Sequence, residues 1–278
     1  MPSTGVPAGI LSALSFGAGD FAGAVAARRA GALVVVAGAH GIGLIALLLA
    51  ALLIHPPFPD LEGILIGLAA GVAGAVGLAA LYRGMSLGSM GLVTALSGAG
   101  SLAIPLLVGA LLGADASPIQ LAGVCFAAAA AMAASGASRD ELGRQALLLA
   151  GLAAVAFGAW YVLIDLAARA GDPLWALVFS RAASAGLTAL VAARRFAGGR
   201  GGFPVRIVAA AGLFDVGGNA LYVVARDALP VSLAAALTGM YPVVTMLLAR
   251  FVLGEHLPRL GQVGVALALF GVVLISIG

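Results

Sequence analysis

Asp20, His40, Asp165, Arg181 and Asp215 stand inside or near long apolar runs of this chain. An ionised side chain at the centre of a bilayer costs about 2.5–3.5 kcal/mol on insertion scales, so each needs a partner or water. Asp20, in "SFGAGDFAGAVAARRAG" (15–31), is an acid among small and aromatic residues. In a hydrated cavity it could take up a proton in one state and release it in another. The competing reading places it near the interface or pairs it with Arg28. In "LFDVGGNALYVVAR" (213–226), Asp215, Asn219, Tyr222 and Arg226 fall at i, i+4, i+7 and i+11, one stripe of a helix. Such a stripe faces either a cavity or neighbouring helices, which Asn219 and Tyr222 would bond. Arg226 and Asp227 read as an interfacial pair, and Asp165 as a solvated residue near a helix end. Arg181 can hold a carboxylate bidentately; with Asp20 or Asp215 it would suit a zwitterion such as an amino acid, or else lock helices as an internal ion pair. Trp160, Tyr161 and Tyr241 suit a cavity wall or an interfacial anchor.

Composition decides what solvent these side chains meet. The 278 residues are 63% hydrophobic and 9% charged, with a mean hydropathy of +1.16. Soluble domains run about 45–50% apolar and about 25% charged, so the chain is expected in a lipid bilayer. The net charge is +3, every basic residue is Arg, and the arginines are scattered between apolar runs. That pattern fits membrane edges and excludes a nucleic-acid partner. The single cysteine, Cys125 in "LAGVCFAAAA", forms no intrachain disulfide and reads as a small buried apolar group.

Runs near the 20 residues of a spanning helix are expected at roughly 5–27, 33–54, 63–83, 91–112, 118–136, 146–168, 173–193, 205–226, 232–252 and 260–278. Breaks such as "HPPFPDLEG" (55–63), "GADASP" (113–118), "SGASRDELGRQ" (135–145) and "RRFAGGRGGFP" (194–204) carry turn and charge residues. Residues 1–27 lack a basic n-region and read as a membrane helix, not a cleaved signal. A shift of 141 residues lays the chain on itself: Phe16-Gly17-Ala18 falls on Phe157-Gly158-Ala159, "ALSG" (95–98) on "ALTG" (236–239), Leu112-Gly113 on Leu253-Gly254 and Gly123 on Gly264. His40 falls on Arg181, Asp20 on Tyr161 and Ser97 on Thr238. Two units follow, 1–138 and 146–278. Five helices per unit, an odd number, put the second into the membrane upside down. The expected fold is an all-α integral membrane protein of ten helices in two inverted repeats, a layout that sets a substrate site between the halves near the midplane. Thr238, on the ninth span, then faces substrate or backbone.

On these features the sequence resembles the EamA family of the drug/metabolite transporter superfamily. "ALY" closes the third and eighth spans (80–82, 220–222), "LGEHLPRLGQVGVALALFGVVLISIG" (253–278) closes the second unit, and Arg181 in "FSRAASAG" takes the place of the family's arginine early in a second helix. The first unit departs from the pattern, with His40 opposite Arg181 and Ala114 opposite Glu255. The resemblance implies a multi-pass carrier of the bacterial inner membrane that moves small metabolites, often amino acids, outward. It also implies that helices 1–4 and 6–9 surround a cavity while 5 and 10 are peripheral.

The candidate substrate residues are thus Asp20, His40, Tyr161, Arg181, Asp215, Asn219, Tyr222, Thr238 and Tyr241, with a small molecule and the bilayer as partners, as monomer or homodimer. No cofactor or metal is expected. Two alternatives are an intramembrane enzyme and a structural membrane protein. Against the enzyme, His40, His55 and His256 lack HExxH spacing, and a Walker A motif is missing. Without an ATP site, uphill transport would draw on a proton or ion gradient, or proceed by exchange. The arginine-rich connections 1–2, 3–4, 5–6, 7–8 and 9–10 put the termini outside by the positive-inside rule, whereas the resemblance implies cytoplasmic termini.

Overall fold

The computed structural model describes residues 2–111, 116–137, 140–195, 204–229 and 231–278. Ala114, Arg139, Arg200 and the repeat match at Leu112-Gly113 lie outside them. The described residues form helices α1 (Pro2–Ala30), α2 (Ala32–Ile54), α3 (Leu61–Leu87), α4 (Met90–Leu111), α5 (Pro118–Ala137), α6 (Glu141–Arg169), α7 (Pro173–Arg195), α8 (Val205–Ala228), α9 (Val231–Thr238), α10 (Tyr241–Leu253) and α11 (Arg259–Ile277). Among them nine spans are long and apolar enough to cross a membrane, and Pro118–Ala134 is a shorter apolar helix. The protein is an all-α integral membrane protein.

Helix limits follow local chemistry. Asp60 and Asp140 accept hydrogen bonds from the amides of Gly63 (2.8 Å) and Gly143 (3.0 Å), capping α3 and α6. Asp172 caps α7 through the Leu174 amide at 2.8 Å. At the other ends, Gly254 (φ 68°) and His55 (φ 54°) close α10 and α2 in the left-handed conformation.

The ninth span is two helices, not the one expected over 232–252. Pro242 has no amide hydrogen and cannot continue the bond ladder back to Thr238. The chain turns instead at Gly239-Met240, where the Met240 amide donates to the Leu237 carbonyl at 3.3 Å. The matching stretch of α4 runs unbroken.

The main contacts join the two halves: α1 packs on α8, α3 on α6, α2 on α7, α4 on α6, α1 on α10 and α5 on α11. Glycines let the backbones meet, since lipid offers no hydrophobic drive to association and close van der Waals packing must supply it. Gly77 receives the Phe157 ring and Gly218 the Phe16 ring. Gly71 lies against the Ser180 carbonyl and Gly212 against that of Ala39; Gly123 abuts the Gly271 carbonyl and Gly264 that of Ala130. Each of these three pairs of contacts maps onto itself when every residue moves by 141 positions and the halves exchange. The expected peripheral helices, α5 and α11, pack on each other and on α4.

The bundle has two unlike ends. At one, Gly5 meets Leu229, Gly171 meets Pro59, and Gly278 meets Ser117. Its arginines are each beside an aspartate: Arg169 Nε to Asp165 at 2.8 Å and Arg226 Nε to Asp227 at 3.6 Å. At the other end gather Arg28, Arg29, Arg83, Arg144, Arg194, Arg206, Arg250 and Arg259. There Glu255 reaches across from the α10–α11 connection, accepting from Ser89 Oγ (2.5 Å) and the Met90 amide (3.1 Å), and so places a carboxylate on the N-terminus of α4. Cys125 is exposed on α5, where a small buried group was expected: in lipid an apolar thiol gains nothing by turning inward.

Candidate functional site

His40 is the ninth residue of α2 and Arg181 the ninth of α7. Each helix has 23 residues, about 34 Å at 1.5 Å per residue, so each side chain starts about 13 Å from its helix end. The two helices pack face to face and the two side chains meet: Arg181 Nη1 donates to His40 Nε2 across a sequence separation of 141 residues. A guanidinium facing Nε2 requires the lone pair there, which puts the imidazole proton on Nδ1. Nδ1–H then donates to Ser184 Oγ. The other arm of the guanidinium, Nη2, donates to Asp215 Oδ2 at 2.5 Å on α8. Ser184, His40, Arg181 and Asp215 therefore form one continuous chain across α7, α2 and α8. Ser184 is 1% exposed, His40 3% and Arg181 9%. Serine accepts from histidine here, so the imidazole is not placed as a base for a Ser184 nucleophile.

Asp20 belongs to a different face. On α1, Phe16, Asp20 and Gly23 are spaced i, i+4 and i+7. Phe16 meets the Tyr241 ring edge-on at 6.3 Å between centroids, and Gly23 leaves room for the Tyr82 ring. Asp20 is bracketed by these two tyrosines. The carboxylate interacts electrostatically with Tyr82, Tyr161, Tyr241 and Asp215. Among the described residues Asp20 makes no hydrogen bond or ion pair, and neither do the hydroxyls of Tyr82, Tyr161, Tyr222 and Tyr241. Arg28, its partner in the competing reading, donates instead to the Met85 carbonyl at 3.3 Å.

The other expected residues divide. Tyr161 is 42% exposed and stacks edge-on with Trp160 at 5.2 Å, whose Nε1–H donates to Ser180 Oγ at 3.0 Å. Tyr222 is partly buried and packs against Ala8, Ala225 and Ala234. Asn219 turns back on its own helix and donates to the Asp215 carbonyl at 2.8 Å, so it bonds no neighbouring helix. Ser97 likewise donates to the Val93 carbonyl at 2.8 Å. Thr238, at the break in the ninth span, has a buried hydroxyl with no partner among the described residues. Asp165 is solvated near its helix end, as expected, and there pairs with Arg169. Tyr82, Ser180 and Ser184 join the centre without having been singled out as site residues. Tyr82 stood in view as the last residue of "ALY"; Ser180 and Ser184 flank Arg181 at i−1 and i+3.

A cavity of about 860 Å³ opens between α4, α5 and α6. Its lining, including Leu96, Gly100, Ala127, Ala131, Leu147 and Gly151, is apolar apart from Arg144 and contains none of the central polar residues. It is a side groove, remote from the chemistry.

Comparison with known proteins places these features. The model of the EamA-like transporter family matches residues 144–277, the second half of the chain. A solved structure described only as the crystal structure of a protein is similar over 99% of this chain and 98% of its own, with a TM-score of 0.64 and 18% identity. At that identity the likeness speaks for the fold alone. No curated protein matches the chain.

Proposed function

Since residues 144–277 belong to the EamA-like transporter family, a family of the drug/metabolite transporter superfamily, we propose that this membrane transporter is a secondary carrier of a small metabolite, an amino acid or a related solute, working by alternating access. Its two five-helix units are inverted repeats, and the axis relating them passes between His40 and Arg181. The observation that carries this reading is the bond between those two side chains: residues separated by the repeat offset can touch only where that axis runs. The reciprocal glycine contacts support the same axis.

In such a carrier the halves rock about a fixed site near the midplane. The Ser184–His40–Arg181–Asp215 chain forms the pivot, and Asp20 with the tyrosines forms the cargo face. Backbones in contact at glycines can slide without displacing large side chains. Asp20 and Asp215 are the groups available to a coupling proton, and exchange of one solute for another uses the same parts. We place the carrier in a bacterial inner membrane, moving its cargo outward. Arg181 is already held by Asp215 and His40, so a carboxylate on the cargo would have to compete with Asp215 for it.

Counterflow tests the proposal. Proteoliposomes are preloaded with a mixture of amino acids and other small metabolites, and each is added outside in labelled form. Wild type is expected to accumulate at least one label, and Arg181→Ala to lose that accumulation. Folded wild type that accumulates none overturns the carrier reading.

A further inference from the structure

Charge does not balance at the centre of this bundle. Arg181 cancels Asp215 and has its second arm on neutral His40. Asp20 is left over: a carboxylate two thirds of the way along a membrane helix, half-buried, with no cationic partner among the described residues. A carboxylate so placed either takes up a proton or pairs with a positive charge. The neighbouring arginine of its own helix, Arg28, is bound to the Met85 carbonyl.

The surroundings narrow what that charge can be. Tyr82 and Tyr241 bracket Asp20 through Gly23 and Phe16, and Tyr161 stacks on Trp160. Aromatic faces attract cations that have shed their water, and the unpartnered tyrosine hydroxyls offer oxygens to an N–H donor. No group of three or more His, Cys, Asp or Glu among the described residues could hold a metal ion. The repeat mate of Asp20 is Tyr161, so the acid occurs once per carrier while the aromatic wall is shared by both halves.

We propose that the cargo is recognised through a positively charged nitrogen: Asp20, between Tyr82 and Tyr241, is the binding site for one organic ammonium group. This rests on the carrier reading above and deepens it. Asp20 pairs with the ammonium charge, the rings cover its apolar flank, and the Arg181–Asp215 pair stays intact behind it. An anionic solute would meet an unpaired carboxylate and be repelled.

The test uses the full chain in lipid nanodiscs and three probes that share one ring: benzylammonium, benzyl alcohol and benzoate, with tetramethylammonium as a cation lacking N–H. Calorimetry measures binding to wild type, Asp20→Asn, Asp20→Glu and, as a surface control, Asp165→Asn. Benzylammonium is expected to bind wild type and Asp165→Asn alike, to weaken about tenfold or more in Asp20→Asn, and to recover in Asp20→Glu; benzoate is expected not to bind. A thermal midpoint for Asp20→Asn within a few degrees of wild type shows that the loss is not unfolding. Benzylammonium affinity unchanged by Asp20→Asn, benzoate binding more tightly, or no cation binding at all overturns the inference. Counterflow separates the two proposals. Wild type that moves a solute which no cation competes with keeps the carrier and loses the ammonium site. Cation binding at Asp20 without transport of any solute keeps the site and loses the carrier.

Discussion

Removing the carboxylate of Asp215 leaves the Arg181 guanidinium inside the bundle with only a neutral imidazole as partner. Breaking a fully buried pair costs about 3–5 kcal/mol, chiefly because the remaining charge has lost its water without compensation. Here the side chains are 11% exposed at Arg181 and 27% at Asp215, so water recovers part of that cost. The expected loss for Asp215→Ala is about 2–3 kcal/mol. Replacing both partners, Arg181→Met with Asp215→Leu, removes the stranded charge, and that double variant is expected within about 1 kcal/mol of wild type. Unfolding by denaturing detergent, titrated into purified protein in mixed micelles, measures wild type, the single variant and the double. Asp215→Ala as stable as wild type, or a double variant no more stable than the single one, would refute the claim that this pair is a closed internal unit.

Three further outcomes follow from the packing. Gly71→Leu and Gly212→Leu push side chains into the Ser180 and Ala39 carbonyls respectively, so both are expected to abolish monodisperse protein in size-exclusion chromatography; survival of either shows that the close approach at that position is not required. Gly41, Gly151 and Gly186 lie in helices with nothing near a would-be Cβ; Ala there is expected to stabilise by about 0.5–1 kcal/mol each through lower unfolded-state freedom, and a fall in thermal midpoint contradicts it. Glu255→Ala takes the carboxylate from Ser89 and the Met90 amide, with an expected loss of about 1–2 kcal/mol; an unchanged midpoint would mean that the contact contributes nothing.

The span positions were legible because lipid demands long apolar runs, and the breaks carry Pro, Gly and Asp that act locally as caps. The 141-residue offset was legible from short matches, and the same offset reappears in contacts at Gly77 and Gly218 or Gly71 and Gly212. The break in the ninth span was hidden because Gly239 and Met240 continue the apolar run; Pro242 was the available signal. The partner of Arg181 was not legible. Its nearest acid in sequence, Asp172, caps a helix, while Asp215 reaches it only because α8 packs beside α7's partner α2. Tyr82 escaped notice as a site residue because a tyrosine closing a small-residue helix looks like an interfacial anchor until the opposing glycine, Gly23, is seen. Cys125 was misread because burial rules drawn from water do not hold for a helix face in lipid.

In a carrier that works by alternating access, one polar centre is reached in turn from both faces of the membrane. With Cys125→Ala as background, Tyr161→Cys places a thiol at the exposed edge of that centre. Its modification by a membrane-impermeant thiol reagent is then measured from outside sealed vesicles and, in inverted vesicles, from inside. Alternating access predicts modification from both faces, with bound cargo slowing both. Modification confined to one face, whatever the cargo, would contradict alternating access.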